Sequence, residues 1–262
     1  MMKSQTEAPV DITENMNDAA ASDIFGDSST DVALHRANPL MALGEVSGSV
    51  SASDFVFPRL KIAQRVGDLG QIFEPGALVL GNEIQLTTKD AKSKTFGPPV
   101  ELIVLNLDKF FQDYLLYQQD GPRPAYYKNE AAVYAAGKTL EWTGERPDRI
   151  APTAEPVAIA TILVKKPDGL ESGNFGVNIP GFGDCTLAKW TMTRTGYSRA
   201  GRRLIMARTT DFAQSNLMYG VWALNTKDEK INGNWVFTPA LSLIRRNTPE
   251  TVEAIVAAVT PS

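Results

Sequence analysis

Cysteine and histidine are nearly absent: the 262 residues hold one of each, Cys185 and His35. An internal disulfide framework and a cysteine-rich zinc site are thereby excluded. So are a His triad and a multi-His metal centre built from this chain alone. No run reaches the roughly 20 apolar residues of a membrane span. The first residues also lack the basic start and apolar core of a secretory signal. The expectation is a cytoplasmic protein without a membrane anchor. An overall basic charge is missing too, because the net charge of −4 argues against a uniformly cationic nucleic-acid binder. The rest is ordinary for a globular protein, with 43% hydrophobic and 21% charged residues.

The charge is unevenly placed. Residues 1–35 carry seven acids (Glu7, Asp11, Glu14, Asp18, Asp23, Asp27 and Asp31) against Lys3, a balance of −6, which leaves +2 for residues 36–262. This opening segment has few large apolar residues and cannot bury enough surface to offset the entropy of ordering. Residues 1–52 are therefore expected to form a mostly disordered acidic arm, with Ile24–Phe25 and Leu34–Leu43 as the places where a short docking helix would arise. Such an arm either solvates the protein, competes with an anionic ligand for a basic surface, or recruits a replication or recombination partner.

Residues 53–262 read as one β-rich domain. Val100–Leu107 and Val157–Val164 are apolar runs suited to strands buried on both faces. Phe175, Val177 and Ile179 alternate before the turn Pro180–Gly181. Leu217–Leu224 and Trp235–Leu243 read as a closing strand pair around turn-rich Asn225–Asn234. Asn129–Ala136 suits a short helix ended by Gly137. Thr248 and Pro249 begin a final helix as N-cap and first residue. Thr186–Arg208 fits a helix or broken helix. The fold class expected is β-rich α+β, an OB-like barrel or sandwich with helical insertions.

Catalytic motifs fail on inspection. Ala132–Thr139 ends like a phosphate-binding loop but has Ala132 where that loop needs glycine. Gly181-Phe182-Gly183 lacks the third glycine of a dinucleotide fingerprint. Asp228-Glu229-Lys230, with Asp211, offers nuclease chemistry on paper but falls in an expected hairpin turn. Cys185 has no histidine in the body of the chain to serve as its base. The expectation is a protein without catalysis, needing no cofactor and no metal.

One constellation stands out. Between Cys185 and Thr210 there is no acid, while Lys189, Arg194, Arg199, Arg202, Arg203 and Arg208 are interleaved with Trp190 and Tyr197. Arginine forks suit phosphate, and aromatic rings stack on bases, the mixture that binds single-stranded nucleic acid. In a helix, Arg199, Arg202 and Arg203 share one side. A second aromatic and basic group runs along Phe110, Phe111, Tyr114, Tyr117, Arg123, Tyr126, Tyr127 and Lys128. Arg59, Lys61 and Arg65 line one face if their segment is extended. The competing reading has these aromatics in the core and the arginines solvated or ion-paired.

Phe57-Pro58-Arg59-Leu60-Lys61-Ile62-Ala63-Gln64 and Gly76-Ala77-Leu78-Val79-Leu80 carry a resemblance. So do Val100–Leu107 leading into Phe110–Tyr117, and Asn234-Trp235-Val236-Phe237-Thr238-Pro239. Over roughly residues 54–245 the layout resembles phage and mobile-element single-stranded DNA-binding proteins. The resemblance implies a modified OB-like barrel that coats single strands in replication or recombination. It departs in one respect: the acidic segment here is N-terminal, whereas the proteins of this kind best known for acidic tails carry them at the C-terminus. The expected partner is single-stranded DNA, captured by Arg59, Lys61, Lys189, Arg194, Arg199, Arg202 and Arg203 and stacked on Trp190, Tyr197, Phe111 and Tyr114. Homo-oligomerisation is a further expectation. The alternative is a phage structural or interaction protein whose partner is a host or virion protein.

Overall fold

The computed structural model describes residues 57–259 apart from 92–94, 115–123, 146–148, 172, 213–215 and 232. The acidic arm expected over 1–52, and Tyr117 and Arg123 of the second aromatic and basic group, lie outside the described residues.

The two apolar runs form the centre of the molecule. Strands β6 (Val100–Asp113) and β8 (Ala154–Lys165) pair antiparallel along most of their length. Around them an antiparallel sheet runs β12-β11-β6-β8-β10-β9, with β7 (Tyr126–Tyr127) added beside the far end of β6. Here β9 is Val177–Ile179, β10 Gly183–Thr193, β11 Gly220–Ile231 and β12 Asn234–Arg246.

Alternation along these strands sorts residues onto two faces. Leu102, Val104, Ile162, Val164, Ala188, Trp190 and Trp222 point to an inner face, and Ile103, Leu105, Leu163, Cys185, Leu187 and Val221 to an outer one. A register shift between Val104 and Asn106 resets the alternation, which returns Leu107 to the inner core.

Each face has its own cover. The inner face is packed by a small sheet of β1 (Leu60–Ile62), β2 (Leu78–Leu80) and β3 (Ile84–Gln85), and by a helical segment after β10; a short helix α1 (Asp68–Ile72) links β1 to β2, and a two-stranded pair, β4 (Thr88–Lys89) with β5 (Phe96–Gly97), leads into β6. That segment runs from α3 (Arg194–Gly196) through a π-helical turn, Tyr197–Gly201, into α4 (Arg202–Thr210). Its buried residues Tyr197, Ala200, Gly201, Leu204 and Ala207 recur at helical spacing. Gly201 lies against the sheet, since a Cβ there would sit 3.2 Å from the Ala158 Cβ. The terminal helix α5 (Pro249–Val259) lays Val252, Ile255 and Val259 on part of the outer face.

The sheet is not a closed barrel; its outer strands, β12 and β9, are not paired with each other. The segment around β1 reaches both sides of the opening. Pro58 accepts a hydrogen bond from the Lys189 N–H at 2.9 Å. The Gln64 amide clasps the edge of β12, donating to the Phe237 carbonyl at 2.8 Å and accepting from its N–H at 3.0 Å.

Three other expectations need correction. Thr186–Thr193 belongs to β10, and the helix begins only at Arg194. Asn225–Ile231 is strand rather than turn, so β11 and β12 stay in register to Ile231–Asn234. Leu217–Tyr219 is a 3₁₀ turn preceding β11. The short helix α2 (Glu130–Ala135), capped by the Asn129 side chain on the Ala132 N–H, and the final helix stand where they were expected. No described helix is long and apolar enough to cross a membrane.

Candidate nucleic-acid interface

The sheet separates the basic constellation into two groups. Lys189 shares the alternation of Cys185 and Leu187 and projects from the outer face. The helix carrying Arg199, Arg202 and Arg203 is packed on the inner face, with these three on its exposed side. The arginine helix and Lys189 therefore do not converge in one groove.

Most of the helix arginines are engaged. Arg199 pairs with Glu229 at 2.9 Å, and Glu229 also holds Lys227 at 3.5 Å. Arg203 lies 3.5 Å from Asp211. Arg202 sits over the Tyr197 ring at 5.8 Å and has no acidic partner among the described residues. Arg194 takes a left-handed backbone (φ 49°), reaches the buried Glu155 at 3.4 Å, and covers the half-buried Tyr114 ring at 4.9 Å. Gln112 donates to the other Glu155 oxygen at 2.9 Å.

The expected stacking rings are mostly interior. Trp190, Tyr197 and Phe111 are 4%, 6% and 4% exposed, so none offers an open face to a base. The rings that do reach solvent are others. Tyr126 is held edge-on against Phe110 at 5.2 Å, and Trp142, Tyr134 and Trp235 are also exposed. Tyr126 was visible as part of the second aromatic group, but nothing in the sequence separated it from the buried Phe111.

A different cluster forms where β1 meets β10. Arg59 bridges Lys189 in parallel register, so their side chains lie adjacent on the outer face. Both are exposed, and neither has an acidic partner among the described residues. The Lys189 ammonium sits 5.6 Å from the centre of the half-buried Phe57 ring. Lys61, one alternation beyond Arg59, donates to Asn82 at 2.9 Å. Arg65 leaves this face: it forms a two-pronged pair with Asp228 at 2.7 and 3.0 Å. Its guanidinium holds the Asp228 carboxyl below the usual carboxylate range.

Cross-strand register extends the cluster into a strip. Lys189 faces Thr161, which faces Asn106, and in the next row Thr191 faces Ile159, which faces Asp108. These residues are exposed or half-buried. The α5 cluster bounds the strip on one side, and Phe110 with Tyr126 on the other. At about 4.8 Å per strand, the row from Asn106 to Arg59 spans about 14 Å. Its one acid, Asp108, accepts from Asn106 at 2.9 Å.

The catalytic candidates are dispersed. Asp228 and Glu229 are each held by a different arginine, and Asp211 by a third. Cys185 is buried and donates to the Val177 carbonyl at 3.2 Å; burial, then the neighbouring Asp184 charge, pushes its thiol up to about 12. No family model, no curated protein and no solved structure matches this chain.

Proposed function

We propose that this protein binds single-stranded DNA without catalysis, holding it on the outer-face strip that starts at Arg59 and Lys189. One observation carries this reading. Two cations from distant parts of the sequence lie side by side on the outer sheet face, and neither has an acidic partner among the described residues. Like charges opposite one another on a sheet are unfavourable, and an anion between them relieves that cost. Thr161, Thr191 and Asn106 add hydrogen-bonding groups for phosphate or sugar, and Phe57 and Tyr126 add rings at the margins. An antiparallel sheet with a helical segment packed on its inner face supports an OB-like architecture. Coating of single strands in phage or mobile-element replication or recombination follows from the resemblance in sequence layout.

Fluorescence anisotropy with labelled single- and double-stranded oligonucleotides across a salt series tests this reading. Micromolar or tighter binding to the single strand is expected, falling with salt at a slope of about −0.7 per phosphate contacted. Arg59→Glu with Lys189→Glu should abolish it. No binding at low salt refutes the proposal. A protein-binding role is the second reading, favoured by Trp142 and Trp235, which are 48% and 56% exposed. Aromatic residues of this kind anchor protein interfaces. Self-association or partner capture lost in Trp235→Ala, without nucleic-acid binding, would support it.

A further inference from the structure

We propose that the β11–β12 hairpin carries a second contact for single-stranded DNA, in which the Trp235 ring stacks on one base and the Lys230 ammonium takes an adjacent phosphate. The inference rests on the single-strand reading and adds a base contact to it. Trp235 and Lys230 are directly opposite in the antiparallel register, so their Cβ atoms lie about 4.5–5.5 Å apart on one face of the hairpin. Both side chains are exposed, and Trp235 keeps 56% of its surface open. A ring beside an ammonium matches a nucleotide, which offers a base to stack and a phosphate to neutralise.

The surroundings leave both groups available. The acids next to Lys230 are engaged elsewhere, Asp228 by Arg65 and Glu229 by Arg199 and Lys227. Lys230 has no acidic partner among the described residues. Trp142, the other exposed indole, has the Arg149 guanidinium over its ring at 5.2 Å. Trp235 has no ring or cation stacked on it among the described residues. The arm is held stiff beside the pair. Arg65 grips Asp228, Arg199 grips Glu229 on the alternate side of the strand, and Gln64 clasps Phe237 two residues from Trp235. A ring fixed in advance loses little freedom on stacking. One strand can reach both contacts. The segment from Pro58, bonded to Lys189, to Gln64, bonded to Phe237, puts Trp235 within about 35 Å of Lys189. About ten stacked nucleotides cover that distance.

Tryptophan fluorescence of the full chain, titrated with an oligothymidylate of about 20 nucleotides, tests the contact. Stacking should quench Trp235, and the quench should vanish in Trp235→Phe, which still binds, but persist in Trp142→Phe. Trp190 and Trp222 are buried and give a constant background. Trp235→Ala should weaken binding about five- to hundredfold. Lys230→Gln should lower the steepness of the salt dependence by about 0.7, one phosphate. A quench that survives Trp235→Phe, or unchanged affinity in Trp235→Ala, would overturn the contact. Self-association lost in Trp235→Ala at unchanged DNA affinity would make the ring a protein contact and overturn it equally. The failures are separable. A parent protein that binds no single strand sinks the single-strand reading, whereas binding abolished by Arg59→Glu with Lys189→Glu and indifferent to Trp235→Ala sinks this contact alone.

Discussion

Gly76→Ala is the most demanding substitution the fold offers. Gly76 has φ 101°, where a side chain is strained by about 1–2 kcal/mol. An added Cβ would lie 2.3 Å from Phe96 Cε2 and 2.7 Å from Phe237 Cε1. Carbon atoms prefer about 3.5–4.0 Å, and both rings are buried and packed edge-to-face on each other with centroids 6.0 Å apart. Neither ring can withdraw freely, so overpacking adds about 1–3 kcal/mol. The Gly76 carbonyl also accepts from the Thr226 hydroxyl at 2.6 Å, so a shift of this turn breaks its tie to β11. The sum is about 2–5 kcal/mol, or a fall in Tm of about 5–15 °C for a domain of this size. Urea denaturation followed by tryptophan fluorescence measures it. A variant within about 0.5 kcal/mol of the parent would refute the argument that the small sheet is locked to the β11–β12 hairpin at this point.

Three further outcomes follow from the same structure. Trp190→Ala should cost about 3–5 kcal/mol of stability, because the ring is core, while Tyr126→Ala should stay within about 0.5 kcal/mol; chemical denaturation of the pair distinguishes a core residue from a surface one. Cys185 should resist iodoacetamide at pH 8 in the folded protein and react on unfolding, since its thiol is buried and held up to about 12; rapid labelling without denaturant would contradict this. Asp228 has a lowered folded-state pKa through its hydrogen bonds to Arg65, so its contribution is complete above the ordinary carboxylate range and is lost as pH falls through the lowered value. Asp228→Asn should remove that part of the acid sensitivity, and because the pair is exposed the loss at neutral pH should be at most about 1 kcal/mol; thermal melts from pH 2 to 7 report it.

What the sequence disclosed depended on whether the signal was local. The β6 and β8 runs are apolar on both faces and could be read directly. The β10–α3 junction could not. Leu187, Trp190, Arg194 and Tyr197 match a helical seam, while Ala188, Trp190 and Met192 match a strand, and the change of direction falls at Arg194, a left-handed residue without the usual glycine signal. The β11–β12 arms looked like a turn because they are polar. Asp228 and Glu229 stay in strand while ion-paired to Arg65 and Arg199, partners that no local pattern reveals. The Arg59–Lys189 contact is a matter of register between distant strands, and composition carries no trace of it.

The division of cations by the sheet makes a last prediction about ligand length. Lys189 and Arg202 belong to one continuous stretch of chain but serve opposite faces. From Lys189 to Arg194 the strand rises about 17 Å, and from Arg194 to Arg202 the helix rises about 12 Å. A single strand touching both must pass the end of β10 beside Arg194, a path of about 29 Å. At a stacked rise of about 3.4 Å that path takes about nine nucleotides. Oligomers of about five nucleotides should feel Lys189→Glu and ignore Arg202→Glu, and only longer ones should feel both. Titrating oligomers of about five to fifteen nucleotides against the two variants decides it. Sensitivity to Arg202→Glu at the shortest length would mean that the strip is not where the single strand is held, and that the arginine helix is a site in its own right.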